Sequence, residues 1–276
     1  MTLFQLFILA LVQGITEFLP ISSSGHLVLV PVLTGWPDQG LLMDVAVHVG
    51  TLAAVLMYFW KDTKGLALAG LGSIGIAPAR RAVDGTPYLK LFWALVIGTI
   101  PMVIVGGLMV ATDANDLLRS AEVIATTSIV FGILLYVADK RGPVSKTTDD
   151  MAIKPALMIG LAQVLALIPG SSRAGVTMTA ARWLGFSRTE SARFSMLLSI
   201  PAIIASGTAT GLKALESASP DQLGDAAIGA VLSCLAALVA IHFLMRWLKT
   251  ANMTIFVVYR VLLGLGLFAL IGMGYI

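Results

Sequence analysis

The sequence predicts an all-α polytopic membrane protein, an inverted-topology repeat with about six full transmembrane helices and two re-entrant helical hairpins. Three observations carry that reading. Of the 276 residues, 58% are hydrophobic and only 12% charged, whereas a soluble domain is about a quarter charged; mean hydropathy is +0.92. Six stretches reach the roughly 20 apolar residues that a span requires. Two further apolar regions are cut in the middle by Pro/Gly/Ser clusters into pieces too short to span alone, and such irregular backbone is tolerated at membrane depth only where it is buried in protein or lines a cavity.

Taken in chain order, Thr2–Leu33 is the first interrupted region. It lacks the basic leader and small-residue cleavage site of a secretory signal, and no Lys or Arg precedes Lys61, so it is expected to persist as a hairpin. Spans follow at Leu41–Trp60, Leu89–Val110 and Ala121–Ala138. The second interrupted region is Pro155–Leu184, and spans at Ala192–Ala214, Ala226–Leu248 and Met253–Tyr275 complete the chain.

Charge sets the orientation. Lys61, Lys64, Arg80, Arg81 and Lys90 follow the first span, and Lys140, Arg141, Lys146 and Lys154 follow the third, so both loops are expected on the cytoplasmic side. Asp113 and Asp116, then Glu216, Asp221 and Asp225, mark the opposite side. Threading the chain through these constraints brings the two hairpins in from opposite faces. The result is one integral membrane domain, 1–276, with inverted repeats over about 1–140 and 151–276. An offset of 150 pairs Leu11 with Leu161, Gln13 with Gln163, Ser22 with Ser172 and Gly25 with Gly175. The last three of these pairs are polar or Gly residues at or near the hairpin tips.

The net charge of +3 is scattered near segment ends, which argues against a nucleic-acid partner. Cys234 stands alone, excluding a disulfide framework or a Cys-based metal site. Trp36, Trp60, Trp93, Trp183 and Trp247 read as interface anchors or packing.

The chemistry concentrates at the tips. Glu17 sits in an apolar segment, where a charge costs roughly 2.5–3.5 kcal/mol on insertion scales and so points to function. Gln13 lies one turn earlier on the same helix face. Together they could hold a hard cation completed by phosphate oxygens and water, as Mg²⁺ prefers; the alternatives are a capping Glu or one paired with a structural Arg. Ser22, Ser23, Ser24, Gly25 and His26 follow, on a turn that caps the next helix, whose N-terminal amides favour an anion. His26 could serve as a base toward Ser23 or water, or as nucleophile. At the second tip, Arg173 offers a planar fork for phosphate, with an ion pair to Glu17 as the alternative. Gly170 and Gly175 allow close backbone approach, and Ser171, Ser172 and Thr177 add hydroxyls. Asp44 and His48 share a helix face as a supporting or interface pair. His242, one turn before Arg246, reads as interfacial, and Arg182, Arg188 and Arg193 read as topology and headgroup contacts.

The stretch Gln13-Gly14-Ile15-Thr16-Glu17-Phe18-Leu19-Pro20-Ile21-Ser22-Ser23-Ser24-Gly25-His26, with Pro169-Gly170-Ser171-Ser172-Arg173, closely resembles the bacitracin-resistance type of undecaprenyl-diphosphate phosphatase. The likeness extends over Asp44–Thr51, Gly98–Pro101 and Arg193–Pro201 to essentially the whole chain. It implies hydrolysis of a C55 isoprenoid diphosphate to the monophosphate at the outer face of the bacterial plasma (inner) membrane. That reaction recycles the carrier of cell-wall synthesis and confers bacitracin resistance. Carried onto this sequence, the resemblance makes Glu17, Ser23, His26 and Arg173 catalytic. It makes Ser22, Ser24, Gly25, Gly170, Ser171, Ser172 and Thr177 substrate-binding, and assigns Glu17 and Gln13 to a divalent cation, Mg²⁺ or Ca²⁺. The partners it implies are the polyprenyl diphosphate, membrane lipids and a second copy in a homodimer. Two departures matter: Gln13 leaves Glu17 as the lone carboxylate of the (Glu/Gln)-x-x-x-Glu pattern, and Ala174 stands where the family usually has Ser. A transporter or flippase of the polyprenyl phosphate carrier is the competing reading, because broken helices meeting at the midplane also build transport sites. An acid-phosphatase-like lipid phosphatase fails on its other parts, since the chain has no Arg-Pro dipeptide and no His between Arg173 and His242.

Overall fold

A computed structural model describes residues 1–112, 118, 120–216 and 218–276, with the side chains of 209, 210, 212, 213 and 215 outside that description. Asp113 and Asp116 lie outside the described residues. Twelve helices are described: α1 Leu3–Thr16, α2 Ser23–Thr34, α3 Gly40–Tyr58, α4 Trp60–Ser73, α5 Ala77–Val83, α6 Tyr88–Ala111, α7 Ala121–Arg141, α8 Ile153–Gln163, α9 Arg173–Trp183, α10 Arg188–Glu216, α11 Pro220–Thr250 and α12 Thr254–Gly272. A short 3₁₀ turn, Val164–Leu167, prolongs α8.

Of these, α3, α6, α7, α11 and α12 are long and apolar enough to cross a membrane. Helix α10 is the sixth predicted span; at 29 residues its length suffices, and its charges lie at its two ends, Arg188, Glu190 and Arg193 in the first two turns and Lys213 and Glu216 in the last, with an uncharged stretch between them. The hairpin legs α1 and α2, with 14 and 12 residues, rise only about 21 and 18 Å at 1.5 Å per residue, short of a hydrocarbon core of about 30 Å. Large apolar side chains face outward, Val239 and Leu262 among them, and the interior, itself mainly apolar, also encloses amides, hydroxyls and ion pairs. An apolar outer surface suits lipid as the surrounding solvent.

Packing is reciprocal between the halves. Helix α1 lies against α11, and α8 lies against α6; α3 packs on α10, and α7 on α12. Small residues bring the backbones together, as helix pairs in lipid require: a Cβ on Gly160 would stand 2.3 Å from the Gly98 carbonyl oxygen, and one on Gly14 would stand 2.6 Å from that of Ser233. The N-terminal ammonium meets Asp225 at 3.2 Å, so the starts of α1 and α11 are neighbours. Lys90 Nζ donates to the Asp149 carbonyl at 3.4 Å, which brings the start of α6 beside that of α8.

Two sequence readings are corrected here. The loop after the first span contains α4 and α5, which pack on each other and against α6; Gly65 of α4 lies so close to the Tyr88 ring that a Cβ would meet it at 2.5 Å. The arginines assigned to headgroups are instead consumed by protein. Arg182 is 1% exposed, reaches Asp139 Oδ1 at 3.3 Å and donates to the carbonyls of Asp139, Gly142, Pro143 and Phe186. Arg188 reaches the same Asp139 oxygen at 2.6 Å. Arg193 grips both oxygens of Asp62, at 2.7 and 3.3 Å. The sequence reading counted these cations for topology, but Asp139 and Asp62, which hold them, come from elements more than forty residues away.

Candidate active site at the meeting hairpin tips

Pro20 forces the end of α1, because the residue before a proline is pushed out of the helical region and the proline itself offers no N–H. The chain turns through Phe18–Ile21 and restarts at Ser22, whose side chain caps α2 by accepting from the Gly25 amide at 3.3 Å. At the second tip, Pro169-Gly170 makes the turn, and Ser172 caps α9 by accepting from the Gly175 amide at 3.0 Å. Ser22 and Ser172 have φ of 77° and 71°, and they are the only described residues other than glycine with positive φ. Such conformations cost of order 1–3 kcal/mol and cluster where a site over-determines them. Two of them, at matching positions of two hairpins, mark the tips as built.

Arg260 supplies the over-determination. It is fully buried in the middle of α12 and donates to the carbonyls of Pro20 at one tip and Gly170 and Ser171 at the other, at 3.3, 2.9 and 2.9 Å. Its Nε donates to the Ser128 carbonyl of α7, and Nη2, which serves Gly170 and Ser171, also reaches the Thr127 carbonyl. Gly175 leaves it room, since a Cβ there would stand 2.7 Å from Arg260 Nη1. The tips touch at Gly25, whose Cβ would come 3.4 Å from the Gly170 Cα, and Thr127 Oγ1 donates to the Pro169 carbonyl at 2.7 Å.

Glu17 is the hub. Its Oε1 accepts from Arg173 Nη2 at 2.8 Å; its Oε2 accepts from Ser23 Oγ at 2.6 Å and Gln13 Nε2 at 3.0 Å, with His48 Nε2 at 3.7 Å. Arg173 Nη1 donates to the Ser195 carbonyl at 3.0 Å. A cavity of about 140 Å³ opens on this cluster. Its polar wall is Glu17, Ser22, Ser23, Ser24, His48, Ser172, Arg173 and Ser206, and Met102, Ala166, Ala202 and Ile203 form the apolar wall. An anion entering it meets a guanidinium, several hydroxyls and one carboxylate.

The family follows from comparison with known proteins. Residues 6–266 match the family described as bacitracin resistance protein BacA. The chain belongs to the BacA family. The undecaprenyl-diphosphatase of Jannaschia sp. (strain CCS1) is 51% identical over 267 residues, 96% of this chain and 97% of that protein. That of Ruegeria pomeroyi is 46% identical over 278 residues, the full length of both, and that of Saccharophagus degradans is 48% identical over 265 residues, 95% of this chain and 96% of the other.

Not every residue singled out in this BacA-family sequence reaches the cavity. Gln13 is fully buried beneath Glu17 and orients its carboxylate without lining the cavity. Gly25, Gly170 and Ser171 shape the tips, with Ser171 Oγ donating to the Ile168 carbonyl at 2.7 Å. Thr177 stands behind Arg173, donating to its carbonyl and sharing a hydrogen bond with Ser195 Oγ, each at 2.7 Å. His26 faces α12: its Nδ1 donates to the Ser22 carbonyl at 2.6 Å, its Nε2 meets Tyr259 Oη at 2.6 Å, and the two rings stack. None of its hydrogen bonds joins it to Ser23. Glu17 and Arg173 form the ion pair that the sequence allowed as an alternative to phosphate binding.

Sequence reasoning passed over Arg260, Tyr259 and Ser206 and left His48 as a supporting residue. For Arg260 the signal was present: a lone arginine inside an apolar span carries the same membrane penalty that singled out Glu17. Among the described residues no group of three or more His, Cys, Asp and Glu is gathered to hold a metal. The hard oxygens available are those of Glu17 and the tip serines. Such a set fits Mg²⁺ or Ca²⁺ only if the cation draws most of its shell from substrate phosphate and water.

Proposed function

We propose that this chain is an undecaprenyl-diphosphatase. It hydrolyses undecaprenyl diphosphate to undecaprenyl phosphate and inorganic phosphate, and so returns the lipid carrier to peptidoglycan synthesis. The observation that carries the reading is that relatives bearing that name match at 46–51% identity over essentially the whole length, with the residues of both tips gathered on one cavity. Bacitracin resistance accompanies the activity as a property of the family.

The residues divide the work as follows. Arg173 spends two of its five N–H groups on Glu17 and Ser195, leaving the others for phosphate oxygens. The α2 and α9 N-termini and the hydroxyls of Ser22, Ser24 and Ser172 add donors around the same charge. Ser23 Oγ already donates to Glu17 Oε2. Glu17 is therefore placed to take its proton as Oγ attacks the terminal phosphorus. The bond from that phosphorus to the bridging oxygen breaks, the electron pair leaves with the lipid monophosphate, and water later releases phosphate from Ser23. A divalent cation held by Glu17 and the diphosphate would neutralise phosphate charge. His26, bound to the Ser22 carbonyl, holds the positive-φ turn that presents Ser23, and Gln13 holds the carboxylate.

The site belongs at the outer face of the bacterial inner membrane, because the charge map brings the first hairpin in from outside. The inverted repeat, 1–140 against 151–276, is supported by the reciprocal packing of α1 on α11 and α8 on α6.

The test is phosphate release from C55 diphosphate by purified protein in detergent, with and without Mg²⁺ or Ca²⁺. Glu17→Ala, Ser23→Ala and Arg173→Ala should each lose at least about 100-fold in kcat. Turnover surviving all three would sink the site. Lipid binding without turnover in the unaltered protein would favour the carrier-transport reading.

A further inference from the structure

The chain has three histidines, and the structure gives them unequal access to the cavity. His26 has both nitrogens engaged, by the Ser22 carbonyl and Tyr259. His242 lies on α11 with its ring edge-on to Tyr58, beside Arg246 and Trp247 in a separate surface cleft. His48 alone lines the cavity. Its Nδ1 contacts the Asp44 carbonyl at 2.7 Å, and because a carbonyl only accepts, Nδ1 carries the hydrogen. Nε2 is thus the nitrogen left to exchange a proton, and it stands 3.7 Å from Glu17 Oε2, the oxygen that also accepts from Ser23 Oγ.

We propose that His48 is the general base of the second chemical step, activating the water that releases phosphate from Ser23. The inference rests on the phosphatase reading. His48 and Ser23 line one cavity and approach one carboxylate oxygen, so a water lodged there reaches both. As that water attacks the phosphoserine phosphorus, its proton passes to His48 Nε2 and a new P–O bond forms. The P–Oγ bond breaks, its electron pair stays on Ser23 Oγ, and Oγ recovers the proton that Glu17 took in the first step. Inorganic phosphate leaves, and His48 returns its proton to solvent through the cavity mouth. Glu17 alone cannot serve both steps, since it enters the second already holding the Ser23 proton.

Glu17, at the end of α1, approaches His48 directly, Arg173 of α9 lines the same cavity, and Asp44 lies one turn earlier on α3. Helix α11 presents Gly229, Ala230 and Ser233 to α3.

The experiment uses the full chain in detergent with C55 diphosphate, following lipid monophosphate and inorganic phosphate separately by rapid quench. In His48→Gln, kcat for phosphate release should fall about 100-fold with KM within about threefold. A burst of lipid monophosphate close to one per chain should precede slow phosphate release. In His48→Ala, added imidazole should restore part of the rate, which a merely structural role would not allow. Phosphate release within about threefold of the unaltered protein, or slow release with no burst and no imidazole rescue, overturns the assignment while leaving the phosphatase reading intact. An unaltered protein that releases no phosphate would remove both.

Discussion

At the scale of single residues, the site is held by two cations of different kinds, Arg173 half-buried at the cavity and Arg260 fully buried. Arg173 is paired with a carboxylate, so removing one partner strands the other charge; breaking such a buried pair costs about 3–5 kcal/mol. Arg173→Met should therefore lower the melting temperature measured in detergent, and the Glu17→Gln, Arg173→Met double variant should be less destabilised than the sum of the singles. Additive losses would mean that the 2.8 Å contact carries no coupling. Arg260 has no carboxylate among its partners and instead satisfies five backbone carbonyls of three segments. A lysine there cannot reproduce the planar fork, and each buried carbonyl left without a partner costs about 1–3 kcal/mol. Arg260→Lys should both destabilise the protein and reduce turnover; a variant that keeps its melting temperature would refute the clamp. The contrast between Glu17 and Arg260 marks the limit of the sequence at this scale. Both were visible as charges in apolar runs, but only Glu17 had polar neighbours in sequence. The partners of Arg260 are carbonyls up to 240 residues away, which no local pattern encodes.

At the scale of elements, hairpins and spans were legible because they depend on run length and on Pro/Gly interruptions, which are local. Helices α4 and α5 were not, because Trp60–Val83 is too polar to read as a span and its helicity is stabilised by packing on Tyr88 and α6. The tips show how turn chemistry becomes geometry. Gly170 has φ +83°, and a Cβ there would lie 2.2 Å from Thr127 Oγ1 and 2.8 Å from the Ile124 carbonyl oxygen. Gly170→Ala should thus push the second tip off α7, costing more than the roughly 1 kcal/mol that a glycine-to-alanine exchange gains in a helix. Gly107, inside α6 with nothing within 4 Å of its Cβ direction, is the control: Gly107→Ala should leave the melting temperature equal or higher. Equal effects at the two positions would mean the close approach at the tip is not required.

At the scale of the whole molecule, the two halves exchange their hairpins: α1 rests on a helix of the second half and α8 on one of the first. If they are inverted repeats, the neighbours Met1 and Asp225 share one side of the membrane, and Lys90 and Asp149 share the other. The charge pattern alone demands the same partition, since Asp225 falls on the expected outer side and Lys90 on the expected inner side. Single cysteines placed in a Cys234→Ala background test it. Leu3 and Gly224 are on the outer side under this scheme, and Val144 and Ile153 on the inner; Leu3, Val144 and Ile153 are exposed at 72%, 68% and 52%, and Gly224 has open space for a side chain. An impermeant maleimide applied to intact spheroplasts should label Leu3→Cys and Gly224→Cys at once, and Val144→Cys and Ile153→Cys only after permeabilisation. Leu3 and Ile153 begin the two hairpins, so labelling both from one side would mean that the hairpins enter from the same face. A site formed where their tips meet near the midplane would then lack its symmetry argument, and its outward opening would have to rest on the cavity alone.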